Sequence, residues 1–207
     1  MSAAQAARLR AVLLEPAEAE AIDVPGSTTA AVLAPLHERD GELWGVFIMR
    51  RANLRLHAGQ ISFPGGRREP GDRDIVATAL RESHEEIGLD PAAVTLVGAL
   101  TPTPTFVSDI AIYPLVGLIR RPPAWALAAD EVEAVLEAPL RELAATHRVE
   151  TVARPGRGAI ETDAYTIAGE RLWGATGRIL TDLLVRLGAI PAASAAPRAA
   201  ATSRSAR

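Results

Sequence analysis

Residues 65–89 read GGRREPGDRDIVATALRESHEEIGL, and their second half decides the fold. It contains Arg81-Glu82-x-x-Glu85-Glu86-x-Gly88. Glu82, Glu85 and Glu86 fall at i, i+3 and i+4, so a helix turning ~100° per residue stacks all three on one face. Like charges at that spacing destabilise a helix. A hard divalent cation turns the repulsion into binding, because Mg²⁺ takes oxygen ligands and keeps some of its own water. The pattern therefore implies a metal site directed at a polyphosphate.

The same segment carries its own fold signal. Val76, Ala79, Leu80, Ser83 and Ile87 recur at helical spacing as a largely apolar stripe, with Arg81, Glu82, Glu85 and Glu86 flanking or opposing it. The spacing predicts a helix over 75–87, ended by a left-handed Gly88. The site is then a loop–helix–loop with the helix's back face buried.

Outward from this helix, residues 30–35 and 43–50 read as strands joined by the polar turn His37-Glu38-Arg39-Asp40-Gly41. Residues 51–74 are rich in Gly, Pro, Arg and Asp and read mostly as loop. Further strands are expected at 94–100 and 110–119, separated by TPTPTFVSD. Residues 130–142 are acidic and read as partly helical. Residues 149–152 and 164–167 suit a hairpin, and 175–188 again have helical period. Irregular alternation of strands and helices favours an α/β fold with a mixed sheet covered on both faces. The expected organisation is an N-terminal helical extension at 1–23, peripheral to one domain at 24–190, and a disordered Ala/Ser/Arg tail at 191–207.

Composition removes whole classes of chemistry. With 207 residues, 48% of them apolar, the chain can bury a real core. It has no cysteine, which excludes disulfides, thiolate-bound zinc, iron–sulfur clusters and thiol nucleophiles. It has no lysine either: all 22 basic residues are arginine, which excludes a P-loop and a Schiff base. A net charge of −3 gives no general basic field, so neither nucleic acid nor a membrane is expected as partner. No apolar run reaches the ~20 residues that span a bilayer. The N-terminal stretch lacks the apolar centre of a secretory signal, and a cytoplasmic location is expected. Nothing in the sequence specifies an oligomeric state.

The stretch from Gly66 through Arg81-Glu82-x-x-Glu85-Glu86-x-Gly88 resembles the Nudix box of pyrophosphatases acting on nucleoside-diphosphate derivatives. The resemblance implies a Nudix-type α/β/α sandwich, hydrolysis of a phosphoric anhydride by water, and Mg²⁺ or Mn²⁺ as cofactor. Upstream, Arg50-x₄-Arg55-x₃-Gly59-x₃-Phe63-Pro64-Gly65-Gly66 is similar to the additional motif of the coenzyme A pyrophosphatase branch. Tyr113-Pro114-Leu115-Val116-Gly117 and Leu172-Trp173-Gly174-Ala175-Thr176 are also similar to that branch. The implied substrate is coenzyme A or an acyl derivative, a small nucleotide. Another nucleoside diphosphate, such as an ADP-sugar or a dinucleotide, stays open, as does a nucleotide-sensing module without turnover.

The match has departures. Eight residues, not the usual seven, separate Asp72 from Arg81, so Asp72 and Asp74 compete as the box's first acid. Ser83 replaces an aliphatic residue, Arg51 a usual Ser and Ile48 a usual Thr.

The residue roles follow from chemistry and resemblance together. Glu82 and Glu86, ~6 Å apart in rise, are the expected principal metal ligands. Glu85 suits a second ion or the general base, and a Gly66 carbonyl suits an extra ligand. Arg81 can pair with Glu85 at i+4 and fix its rotamer. The expected catalytic set is thus Glu85, Arg81 and Glu82. Gly65 and Gly66 let backbone approach phosphate or metal. Arg50, Arg51, Arg55 and His57 form a basic cluster suited to phosphate, and coenzyme A carries a 3′-phosphate besides its diphosphate. Asp72 and Asp74 are expected as N-caps more than ligands. Phe106, Trp125 and Trp173 are expected as scaffold more than as adenine platforms. Glu131 and Glu133 could add a carboxylate from outside the box, although a solvated acidic loop is the plainer reading.

Overall fold

The computed structural model describes residues 3–53, 58–105, 109–154 and 158–195. At its centre lies a parallel pair, β1 (Thr28–Arg39) and β7 (Ile110–Ile119), in register from Thr28 opposite Ile110 to Leu36 opposite Leu118. Both strands are apolar almost throughout, because both faces of the sheet are covered. Ala31 and Leu33 enter one core with Ala111, Tyr113 and Leu115; Ala34 and Leu36 enter the other with Val116 and Leu118.

Around this pair the eight-stranded sheet is mixed. β2 (Glu42–Arg50) runs antiparallel to β1 and also pairs with β3 (Ile61–Ser62) and β8 (Val132–Pro139). β4 (Gly65–Arg67) pairs with Ala30–Val32 of β1. β5 (Val94–Ala99) and β6 (Thr103–Pro104) pair with β7. Helix α3 (Ile75–Ile87) packs on one face, and α5 (Gly174–Arg186) packs against the other through Ile179, Leu180, Leu183 and Leu184. β9 (Arg148–Arg154), β10 (Gly158–Ile167) and β11 (Glu170–Trp173) form a second, three-stranded antiparallel sheet. This is the α/β/α sandwich with a mixed sheet expected from sequence.

Helix α3 spans the expected residues. The Asp74 Oδ1 accepts from the Ala77 N–H at 2.7 Å as N-cap, and Gly88 ends the helix at φ 68°. Ser83 is buried and donates to the Ala79 carbonyl at 2.7 Å, which satisfies a hydroxyl where an aliphatic group was expected. The buried face is rotated from the expected stripe: Ile75, Thr78, Ala79, Ser83, Glu86 and Ile87 are buried, while Val76 and Leu80 are half-buried.

Three local expectations change. The β1–β2 hairpin turns on two residues, Asp40 and Gly41, both left-handed at φ 54° and 77°. Such a turn matches the twist of the strands, so β1 continues through Arg39. Residues 51–74 are mostly loop, as expected, and include the short strands β3 and β4, which pair with β2 and β1. Most of 130–142 is strand β8 paired with β2, and the helix α4 (Leu140–Ala145) starts only after Pro139. The N-terminal segment is two short helices, α1 (Ala3–Arg10) and α2 (Pro16–Glu20); Leu9 and Ala19 are buried in the two cores, and Leu14 bridges to Ala99.

Beyond α5, Ala192–Ala195 form one 3₁₀ turn. No helix among the described residues is long and apolar enough to cross a membrane.

Candidate active site

The acidic helix meets the sheet at Glu86. Its side chain is 4% exposed, and both oxygens are engaged. The Gly65 N–H of β4 donates to Oε2 at 2.9 Å, and Arg50 Nη1, at the end of β2, donates to Oε1 at 3.2 Å. Arg50 Nη2 lies 3.9 Å from Glu131 Oε2, just before β8. Burial pushes the Glu86 carboxyl up to about 7 despite the Gly65 N–H and the Arg50 charge, and Glu82 and Glu131 add repulsion. The Glu82 carboxyl is also pushed up by burial, opposed by Arg81.

Two glycines make this approach possible. Gly65 has φ 150°, and a Cβ there would lie 2.4 Å from the Ala31 carbonyl oxygen and 2.5 Å from Val32 Cα. A Cβ on Gly66 would stand 2.5 Å from the Glu82 carboxyl carbon. The glycine pair thus sits in a strand, not a loop, and lets β4 lie directly against the carboxylates.

Arg81 organises the other side of the ridge. Its Nε and Nη2 donate to the two oxygens of Asp72, each at 3.0 Å. Nη1 donates to Glu85 Oε2 at 3.0 Å and lies 3.1 Å from Glu82 Oε1; Nη2 also reaches the Arg67 carbonyl at 3.0 Å. The bidentate Arg81 contact holds the Asp72 carboxyl down at about 2. Asp72 and Asp74 therefore divide the work: Asp74 caps the helix and Asp72 anchors Arg81. The longer loop closes on itself, with the Glu69 N–H donating to Asp72 Oδ2 at 2.9 Å and Arg68 bonding the Asp72 and Arg73 carbonyls.

The structure brings together Arg50, Gly65, Gly66, Arg81, Glu82, Glu85 and Glu86, and adds Glu131. Glu133 is exposed. Arg51 turns to the Ala129 carbonyl at 2.8 Å. Arg55, His57 and Phe106 lie outside the described residues. Trp125 donates to Glu137 at 3.0 Å, and Trp173 stacks under Arg171 at 4.4 Å, so both have structural partners. The double contact of Arg81 with Asp72 went unread in the sequence; the five-residue spacing from Gly66 was the available signal.

Among the described residues, no three acidic or imidazole groups already stand as a cage for a metal ion. Arg50 and Arg81 occupy the carboxylates instead. The donors nonetheless suit a hard divalent cation: all are oxygen, and Glu82 and Glu86 carry a charge that burial opposes and that a cation would relieve.

The model of the NUDIX domain matches residues 27–148. The chain is 36% identical over 166 residues to the uncharacterized Nudix hydrolase NudL of Salmonella paratyphi B, covering 78% of this chain and 84% of that one. The NudL of Salmonella newport matches to the same extent. Among solved structures, a MutT/nudix family protein from Enterococcus faecalis shares the fold with a TM-score of 0.54 at 14% identity, over 91% of this chain and 75% of that one. Nudix hydrolases generally use divalent metal ions and act on small nucleotide substrates. The acidic helix held against a glycine strand is therefore a Nudix box, and the chain belongs to the Nudix hydrolase family.

Proposed function

We propose that this Nudix hydrolase cleaves the diphosphate linkage of coenzyme A or an acyl-coenzyme A, with Mg²⁺ or Mn²⁺, into 3′,5′-ADP and 4′-phosphopantetheine or its acylated form. One observation carries the reading: Arg50, which opens the arginine-bearing segment, is bonded directly to Glu86 of the acidic helix. The segment also returns there, since the Arg50 N–H donates to the Gln60 carbonyl at 3.0 Å and the Gly59 N–H to the Arg50 carbonyl at 3.1 Å. The described residues on either side of Arg55 and His57 are thus tied to Arg50, beside Glu86. A substrate with a third phosphate beyond its diphosphate suits such a surplus of arginine.

In this reading Glu82 and Glu86 would hold the metal, with the Gly66 carbonyl as a further donor, and Glu85 is left as the base. The ion supplies charge neutralisation at the phosphates and a lowered pKa for bound water. Arg81, braced by Asp72, fixes the rotamers of Glu82 and Glu85. Glu85 has a half-exposed carboxylate and accepts the proton of the attacking water. Arg50, Arg55 and His57 orient the substrate phosphates for in-line attack.

The test is a panel of coenzyme A, dephospho-coenzyme A and ADP-ribose at equal Mg²⁺ or Mn²⁺, with products identified by mass. Coenzyme A is expected to be cleaved fastest, and reaction in ¹⁸O water identifies the phosphorus attacked. Cleavage of dephospho-coenzyme A or ADP-ribose at least as fast as coenzyme A would overturn the substrate assignment.

A further inference from the structure

The Arg50–Glu86 pair has a consequence for how the site loads. Glu86 has two oxygens, one held by the Gly65 N–H and the other by Arg50. The Gly65 contact is fixed, because β4 is locked by its pairing with β1 and by the close approach of Gly65 to Ala31. The Arg50 contact is not. The Arg50 backbone is pinned by Gln60 and Gly59, but its guanidinium sits at the end of a long side chain, is 23% exposed, and has its second contact at 3.9 Å to an exposed Glu131. A cation approaching Glu86 therefore meets an arginine at the oxygen that is free to be exchanged.

We propose that Arg50 is a built-in counter-ion that competes with the divalent metal for Glu86. In the metal-free protein it neutralises the buried carboxylate. When the metal takes Oε1, the guanidinium leaves that oxygen and is presented, from its pinned backbone, to an anionic oxygen of the incoming diphosphate. One residue thereby links the two loading events: metal binding frees the positive charge that the substrate needs. Arg50 is a positioning residue toward the metal and a binding residue toward the substrate. The inference rests on Glu86 being a metal ligand, as in the proposed function.

The experiment measures Mn²⁺ affinity by electron paramagnetic resonance in the absence of substrate, at pH 8.5, for wild type, Glu86→Gln and Arg50→Gln. Glu86→Gln is expected to weaken Mn²⁺ binding; unchanged affinity there overturns the ligand assignment itself. Given that weakening, Arg50→Gln is expected to tighten Mn²⁺ binding by roughly twofold to fivefold, the size of a partly exposed ion pair, while raising KM for the diphosphate substrate. Equal or weaker Mn²⁺ binding in Arg50→Gln overturns the competition, because a merely structural arginine supports its carboxylate and its loss can only loosen the site. A measurement on the wild type stands independently of whether that variant folds. With arginine side chains labelled with ¹⁵N, saturating Mg²⁺ is expected to shift the Arg50 Nε–H signal and speed its exchange with water; an unmoved signal overturns the proposal.

Discussion

Gly66 and Glu82 share one volume: a Cβ on Gly66 would stand 2.5 Å from both Cδ and Oε1 of the Glu82 carboxylate. The clash is with the end of a flexible side chain, so the chain can fold by moving the carboxylate away. Gly66→Ala is therefore expected to keep a near-normal melting temperature and lose roughly 100-fold in kcat, the scale of a misplacement of about 1 Å at a reacting centre. Gly65→Ala should do the reverse in emphasis. Its Cβ meets the Ala31 carbonyl and Val32 Cα at φ 150°, so backbone has to shift and stability falls first. Thermal melts beside kinetics on both variants check the contrast; equal losses of stability would contradict it.

Glu86 predicts a trade between stability and activity. Its folded carboxyl titrates at about 7, above the ordinary value of 4.5, with burial as the main cause. Between those values the folded state binds more protons than the unfolded state, so this group lowers stability as pH rises through the window. Glu86→Gln keeps an acceptor for the Gly65 N–H and removes the penalised charge. The metal-free variant should melt above wild type at pH 8 and not at pH 4, while turnover falls by several orders of magnitude. Saturating Mg²⁺ should narrow or reverse the difference in melting temperature, since it stabilises only the wild-type carboxylate. A folded Glu86→Gln with near-normal turnover would refute its role.

Most of the architecture was legible because its two strongest signals are local, one periodic and one a continuous apolar run. The helix over 75–87 has a cap at each end and a buried stripe, and it appears with those bounds. The central strand over 110–119 is a continuous apolar run, and it too appears as read. Residues 130–142 misled because acidic residues among Ala and Leu have helical propensity, and pairing with β2 overrides it. His37 was placed in a turn by its polar neighbours. In the structure it is buried and bonded to Glu137 at 2.8 Å, a partner 100 positions away that no local reading reaches. The site divides in the same way. The acidic ridge is local and was read directly. The arginine contacts that hold it, Arg50 to Glu86 and Arg81 to Asp72, need the folded chain.

Of the three glutamates on the acidic helix face, Glu85 is the most exposed. Its carboxylate is 55% exposed and meets only the Arg81 guanidinium among the contacts described. Glu85→Gln is expected to leave stability within about 0.5 kcal/mol, as for other surface changes. If it takes the proton from water, kcat falls by roughly 100-fold or more with KM little changed. A variant with kcat within twofold of wild type, measured under saturating metal, would move the base elsewhere, and Glu131 is then the next residue to test.

Asp72 yields the last prediction, through the sign of its shift. Arg81 holds its folded carboxyl at about 2, below the ordinary 3.8. Across that interval the unfolded state binds the extra proton, so the ion pair's contribution is present above pH 4 and disappears as pH falls toward 2. Asp72→Asn should therefore lose roughly 1–2 kcal/mol at pH 6, a value discounted for the partial exposure of Arg81, and the gap to wild type should narrow markedly by pH 3. Urea unfolding of both proteins from pH 3 to 6 measures the difference and cancels the titration of other carboxylates. The same substitution frees Arg81 from its brace, so Glu82 and Glu85 lose their fixed rotamers and kcat should fall by about tenfold with the helix intact. A stability gap that persists unchanged to pH 3 would mean that Asp72 supports the loop through its hydrogen bond from the Glu69 N–H, not through its charge on Arg81.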